Sequence, residues 1–211
     1  GGPAEKAGLQ AGDRIVSVDG SEVATQSDLG TLMQDHKAGD TIEITVARGG
    51  QVVIPAFAID RTELVLHALV RLRRECRIPD VPVAVDGPMS LKALDAYRQW
   101  PDELAPGVSM SDFTDLDLTE TRDTASSKRL NRRNDPMIIV SSSGMAEGGR
   151  VLYHLRRLLP DPRNTVVLTG YQAVGTRGRA LENGAKAIKA HDRNGQVIYC
   201  SSFSKTLRSE E

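Results

Sequence analysis

MIIVSSSGMAEGGRVLYHLRRLLPD, residues 137–161, joins an apolar run to three serines, a glycine and a helical pattern. Apolar residues bounded by turn formers read as a strand buried on both faces. Val151, Leu152, Leu155, Leu158 and Leu159 share one face, so EGGRVLYHLRRLL reads as an amphipathic helix. The first turn of such a helix has unpaired N–H groups and a partial positive charge, a cradle for phosphate.

Outward from this stretch the same alternation repeats. VVIPAFAI is an apolar run suited to a buried strand. Asp60-Arg61-Thr62-Glu63 opens a helix carrying Leu64, Ala68, Leu72 and Cys76 at i+4 spacing, flanked by Val65 and Leu69. VPVAVDGP is a strand ending at a Gly-Pro break, SLKALDAYRQW a helix, and DELAPGVSMSDFTDLDLTE a long polar loop. TASSKRLNRRN is a basic helix and NTVVLTG a further strand. Strands alternating with helices predict an α/β fold with a mainly parallel sheet and flanking helices. Ligands of such sheets gather at the carboxyl ends of the strands. Four loops arrive there: Asp60-Arg61-Thr62, Asp86-Gly87-Pro88, Ser141-Ser142-Ser143-Gly144 and Gly170-Tyr171-Gln172. Arg150 follows the serine loop, and Thr176-Arg177 follows the last strand, so that together they can track a phosphodiester backbone. The same serines and glycines also suit helix capping and close packing, and chemistry alone leaves both readings open.

Composition bounds the rest. The chain has 211 residues, 39% hydrophobic and 26% charged, ordinary values for a globular protein. Its net charge of -1 hides an asymmetry: residues 1–51 hold 4 basic and 8 acidic side chains, residues 52–192 hold 20 and 18. That contrast points to units of different origin without implying nucleic-acid binding. Cys76 and Cys200 match neither a disulfide framework nor a metal-site spacing. No run reaches the ~18 apolar residues of a membrane helix, and no signal peptide opens the chain. The start at GGPAEKAG, without Met, reads as part of a longer protein, with a cytoplasmic setting as the default.

Residues 1–51 have their own texture. RIVSVDG and TIEITVARGG alternate like half-buried strands, Asp19-Gly20 is a hairpin-type turn, and SDLGTLMQDHKAG is a capped helix. GPAEKAGLQAGDRIVSVDG resembles the later part of a PDZ domain of the bacterial protease type, a partial α+β unit. That resemblance implies a peptide-binding or interaction module, which would capture a chain end at a sheet edge.

Residues 52–191 resemble the β-CASP region of metallo-β-lactamase-fold RNA nucleases. The resemblance rests on VVIPAFAIDRTE, on IPDVPVAVDGPM with Gly87 where a Ser is common, on IIVSSSGMAEGGRVLYHL and on PDPRNTVVLTGYQAVGTRGRAL. It implies that RNA or single-stranded nucleic acid is the ligand, that Ser141, Ser142, Ser143, Gly144, Arg150, Tyr171, Thr176 and Arg177 contact it, and that a metallo-β-lactamase domain is the partner. It also implies that hydrolysis depends on zinc held by an HxHxDH motif outside the β-CASP region. His36, His67, His154 and His191 are dispersed and read as surface or packed residues. The expectation is therefore RNA binding without catalytic residues, metal ligands or a cofactor in this chain, which would be inactive alone. A β-CASP region without its partner domain is further expected to self-associate.

Residues 192–211 form a strand with a charged tail and no domain. RNGQVIYCSSFSKTL resembles the lysine segment of fold-type I aminotransferases, which implies pyridoxal phosphate on Lys205. GGQVVI and NGQVIY stand at the two seams between these resemblances and hint at a chimera.

Overall fold

The computed structural model describes residues 7, 14–23, 26–34, 36, 44–47, 49–104, 109–161, 163–185, 187–188, 198–199 and 207–208. The chain divides into two compact units, Gly1–Gly49 with Arg71–Asp80, and Gly50–Val70 with Val81–Glu211.

In the first unit, β1 (Arg14–Val18) pairs antiparallel with β2 (Ser21–Glu22) and with β3 (Ile44–Ala47). Asp19 and Gly20 both have positive φ, 46° and 78°, which closes the β1–β2 hairpin as the Asp-Gly pair predicts. Helix α1 (Gln26–Gln34) lies between β2 and β3 in sequence.

The second unit is built on a parallel sheet. Its strands are β4 (Gln51–Pro55), β5 (Val83–Val85), β6 (Leu118–Glu120), β7 (Met137–Ser141), β8 (Thr165–Leu168) and a short edge strand, β11 (Leu207–Arg208), in the order β11-β8-β4-β7-β5-β6. A separate antiparallel pair joins β9 (Ala187–Ile188) and β10 (Ile198–Tyr199). The helices are α2 (Arg61–Arg74), α3 (Pro88–Gln99), α4 (Thr124–Leu130), α5 (Val151–Leu158) and α6 (Arg177–Glu182). Among the described residues no helix is long and apolar enough to cross a membrane.

Alternation along the strands assigns the two faces. Val53, Ile139 and Ala84 stand side by side in register. They share a core with Leu130 of α4, Val151, Leu155 and Leu158 of α5, and Leu181 of α6. The other core side chains, Leu66 and Leu69 of α2 and Leu91 and Leu94 of α3, are buried too. Asp123 caps α4 with a reciprocal capping box to Ser126, and Pro88 opens α3 behind Gly87.

Four expectations shift. The strand in VVIPAFAI ends at Pro55, and the chain turns over residues 56–60, with Asp60 at φ 62°. The buried stripe of α2 is Thr62, Val65, Leu66, Leu69 and Val70, whereas Leu64 and Cys76 are exposed. The loop expected over 102–120 holds a fifth parallel strand, β6, paired to β5. Helix α5 begins at Val151, so that residues 142–150 form an irregular loop in which Ala146 and Gly149 have positive φ.

Candidate nucleic-acid interface

Because β8, β4, β7 and β5 are parallel neighbours, their carboxyl-end loops lie side by side. The loop after β7 is the most unusual. Ser141 is buried, and its hydroxyl donates to the Asp86 carbonyl at 2.6 Å. The Ser142–Ser143 peptide is cis. The Ser143 hydroxyl accepts from the Glu147 amide at 3.2 Å, and the Ser143 carbonyl accepts from the Ala146 amide. A Cβ at Gly144 would stand 2.8 Å from the Phe57 ring and 2.9 Å from the Phe57 nitrogen, so the loop can pass only as glycine. The amides of Ser143, Gly144 and Met145 make no hydrogen bond among the described residues, and neither does the Ser142 hydroxyl. Successive unpaired amides of this kind make an anion-binding concavity. The sequence placed that cradle in the first turn of a helix. In the structure the Val151 amide, at the start of α5, bonds the Ser142 carbonyl, and the amides without a hydrogen bond among the described residues are those of the loop.

Beneath the loop lies Asp86, fully buried at the end of β5. Its Oδ1 accepts from the Thr121 hydroxyl and from Arg150 Nη1 at 2.8 Å, and its Oδ2 from the Ser127 hydroxyl at 2.7 Å and His154 Nε2 at 2.6 Å. Burial pushes this carboxyl up. Hydrogen bonds from His154, Thr121, Ser127 and Arg150 outweigh that effect and hold it down at about 2. Arg150 also donates to the Thr121 carbonyl at 2.8 Å. Its side chain is only 17% exposed and ties three loops together beneath the serines.

The loop after β8 is bound to the serine loop. Buried Gln172 donates to the Gly144 and Gly170 carbonyls at 3.2 and 3.0 Å. The Gly178 amide reaches the Met145 carbonyl at 2.9 Å. A Cβ at Gly178 would fall 1.6 Å from Gln172 Oε1, so a side chain there forces the two loops apart. Arg177 donates from its amide to Glu147 Oε1 at 2.7 Å and from Nη1 to the Glu147 carbonyl at 3.2 Å. Thr176 caps α6, accepting from the Arg179 amide and donating to the Ala173 carbonyl at 2.7 Å. Of the residues named from sequence in this loop, Tyr171 is the one turned outward. It is 66% exposed, with the Arg179 guanidinium 6.0 Å from its ring centre.

The sequence brings the Asp60-Arg61-Thr62 loop to this edge without singling out Arg61. Arg61 is half-buried on the first turn of α2, its Nε 3.8 Å from the Cβ position of Gly170, and its guanidinium has no hydrogen bond or ion pair among the described residues. The available signal was topological: Arg61 follows β4, the strand between β7 and β8.

Metal chemistry has no matching donor set here. Among the described residues no three His, Cys, Asp or Glu side chains are grouped to hold an ion. His154 is committed to Asp86, His67 packs on Phe113 with ring centres 4.6 Å apart, and His36 faces Asp19 at 3.4 Å. Lys205 and His191 lie outside the described residues.

A family model described as Beta-Casp domain matches residues 62–181, and one described as PDZ domain matches residues 1–54. An RNase J-like protein of Methanocaldococcus jannaschii is 40% identical over 151 residues, covering 71% of this chain and 35% of that protein. Ribonuclease TTHA0252 of Thermus thermophilus is 36% identical over 148 residues, 67% of this chain and 34% of that protein. Transcription termination factor FttA of Methanosarcina mazei is 34% identical over 169 residues, 74% of this chain and 25% of that protein. The chain thus spans about a third or less of the length of these relatives. Its central α/β unit, with the serine loop at the carboxyl edge of a parallel sheet, belongs to the Beta-Casp domain family.

Proposed function

We propose that this chain is the RNA-gripping part of a metallo-β-lactamase-fold ribonuclease and acts in cytoplasmic RNA processing. The observation that carries this reading is that the amides of Ser143, Gly144 and Met145 and the Arg61 guanidinium, none hydrogen-bonded among the described residues, stand at one sheet edge. Amides and a guanidinium recognise phosphate oxygens without reading base sequence. Tyr171 beside them offers a stacking face for an unpaired base, which single strands present and duplexes do not. Ser141, Arg150, Thr176 and Arg177 then act as positioning residues, because their polar groups hold the loops to one another.

In this reading hydrolysis needs metal ions that activate water and stabilise the leaving oxygen, with ligands from outside the described residues. A metallo-β-lactamase domain would cover the apolar rim of Phe57, Ile59, Met89, Tyr171 and Val174, all exposed around the same edge. Titration of a labelled single-stranded RNA at low salt tests the binding. Saturable binding that Arg61→Ala weakens supports it, and absence of binding refutes it.

The PDZ match over residues 1–54 favours a second activity for the first unit, capture of a peptide chain end. Titration with peptides ending in a free carboxylate tests it. A response that RNA does not compete would add this activity to the first, and no response would remove it.

A further inference from the structure

Outside the serine loop, a basic stretch of the second unit runs along α4 and α5. Residues 124–134 and 150–160 carry seven basic side chains and no acidic one. Side chains of the two helix segments are tied to one another through shared hydrogen-bond partners. At one end Ser127 of α4 meets Arg150 and His154 on the Asp86 carboxylate. At the other, Arg157 of α5 donates to the side-chain oxygens of Asn131 at 3.3 Å, Asn134 at 3.2 Å and Gln51. These inward contacts leave an outward seam with Lys128, Arg129 and Arg132 on one side and Tyr153 and Arg156 on the other, all exposed. Tyr153 is 56% exposed. Of the flanking carboxylates, Asp135 pairs with Arg133 and Asp161 with Arg163, while Asp123 caps α4 through Ser126 and its charge also reaches Arg129.

The inward contacts beneath the seam run from the Asp86 cluster behind the serine loop, away from the sheet's carboxyl edge, to Gln51, the first residue of β4. Basic side chains interleaved with an exposed aromatic ring are the chemistry of a single-stranded nucleic-acid track. We propose that the α4–α5 seam is a second RNA-contact surface, which holds the backbone of a strand continuing past the serine loop. The proposal extends the RNA reading given above, and the two can fail separately.

The test compares labelled single-stranded RNAs of about 5 and about 20 nucleotides, below and above ordinary single-strand site sizes. The protein is the 211-residue chain. The long RNA is expected to bind at least about ten-fold tighter than the short one. The triple variant Arg129→Glu, Arg132→Glu, Arg156→Glu is expected to remove that advantage. It should also flatten the salt slope by about 2, at about 0.7 per phosphate contact, with short-RNA binding unchanged. The matching Arg→Lys triple should keep the advantage, and Tyr153→Ala should lower it without altering the salt slope. Equal affinity for both lengths, or a length advantage that survives charge reversal in a folded triple variant, overturns the seam. Competition by polyglutamate as strong as that by RNA of equal charge also overturns it, in favour of an acidic protein partner. Loss of short-RNA binding alone, with the long-RNA advantage still sensitive to charge reversal, overturns the serine-loop reading and leaves the seam standing.

Discussion

Two buried carboxylates in the second unit behave in opposite ways, and the difference lies in their partners. Glu63 is 7% exposed, and both its oxygens are buried with no hydrogen-bond partner within bonding distance among the described residues. Burial pushes it up to about 7, its own backbone N–H pulls the other way, and the Asp60 charge adds to the rise. A carboxyl raised in the fold favours its protonated form. Stability is therefore lost as pH climbs from the ordinary value near 4.5 through about 7. Glu63→Gln should remove that decline and stabilise the chain above pH 7, by at most roughly 3 kcal/mol. Urea midpoints at acidic and alkaline pH check this; a variant equally stable or weaker at alkaline pH contradicts it. Asp86 is the reverse case, with four hydrogen-bond donors and a carboxyl held at about 2. Its contribution is present above about pH 4 and is lost only as pH falls toward 2. Asp86→Asn removes the charge that Arg150 pairs with and turns one acceptor oxygen into an amide NH2 facing donors, and about 3–5 kcal/mol of destabilisation is expected for removing one side of such a buried pair. Denaturant unfolding measures it. Neither role was legible in the sequence. The Asp86 partners lie 35 to 68 residues away, and no local pattern announces such pairings.

At the level of elements, the buried strands were legible and their neighbours less so. β4, β7 and β8 are apolar runs closed by turn formers, and parallel strands covered on both faces have to look that way. β6 escaped notice because Leu118, Thr119 and Glu120 form a three-residue, half-buried strand at the sheet edge. In α2 the i+4 row of Leu64, Ala68, Leu72 and Cys76 is not the buried stripe, which runs through its neighbours Val65 and Leu69. Thr62 is buried with its hydroxyl donating to the Phe57 carbonyl at 2.9 Å, and Leu64, two residues on and about 200° round the helix, is exposed. The loops at the carboxyl edge were legible as places, since the serines and Gly144 stand where a ligand loop should. How they interlock was not. Gly144→Ala must displace Phe57, and Gly178→Ala must displace Gln172. Each should weaken RNA binding about ten-fold or more while costing only about 1–3 kcal/mol of stability. Anisotropy titrations beside thermal melts separate the two effects, and unaltered binding in a folded Gly144→Ala chain would detach the loop from RNA.

At the scale of the whole molecule, the exposed apolar rim has a consequence in solution. Phe57, Ile59, Met89, Tyr171 and Val174 crowd one edge of the second unit, and relatives such as the RNase J-like protein are about three times as long as the stretch matched here. A chain of this length without a covering domain should self-associate at high concentration. Sedimentation equilibrium should show mass rising with concentration, and Phe57→Ser with Ile59→Ser should reduce it. A strictly monomeric wild-type chain would mean the rim needs no cover. The central claim is that the serine-loop edge grips an RNA backbone through amides and Arg61. Its most direct test is fluorescence anisotropy of a short labelled single-stranded RNA, titrated with the chain and with Arg61→Ala over a range of salt. Saturable binding that weakens with salt and drops about ten-fold or more in Arg61→Ala is expected. No binding at low salt, or binding indifferent to Arg61, contradicts it.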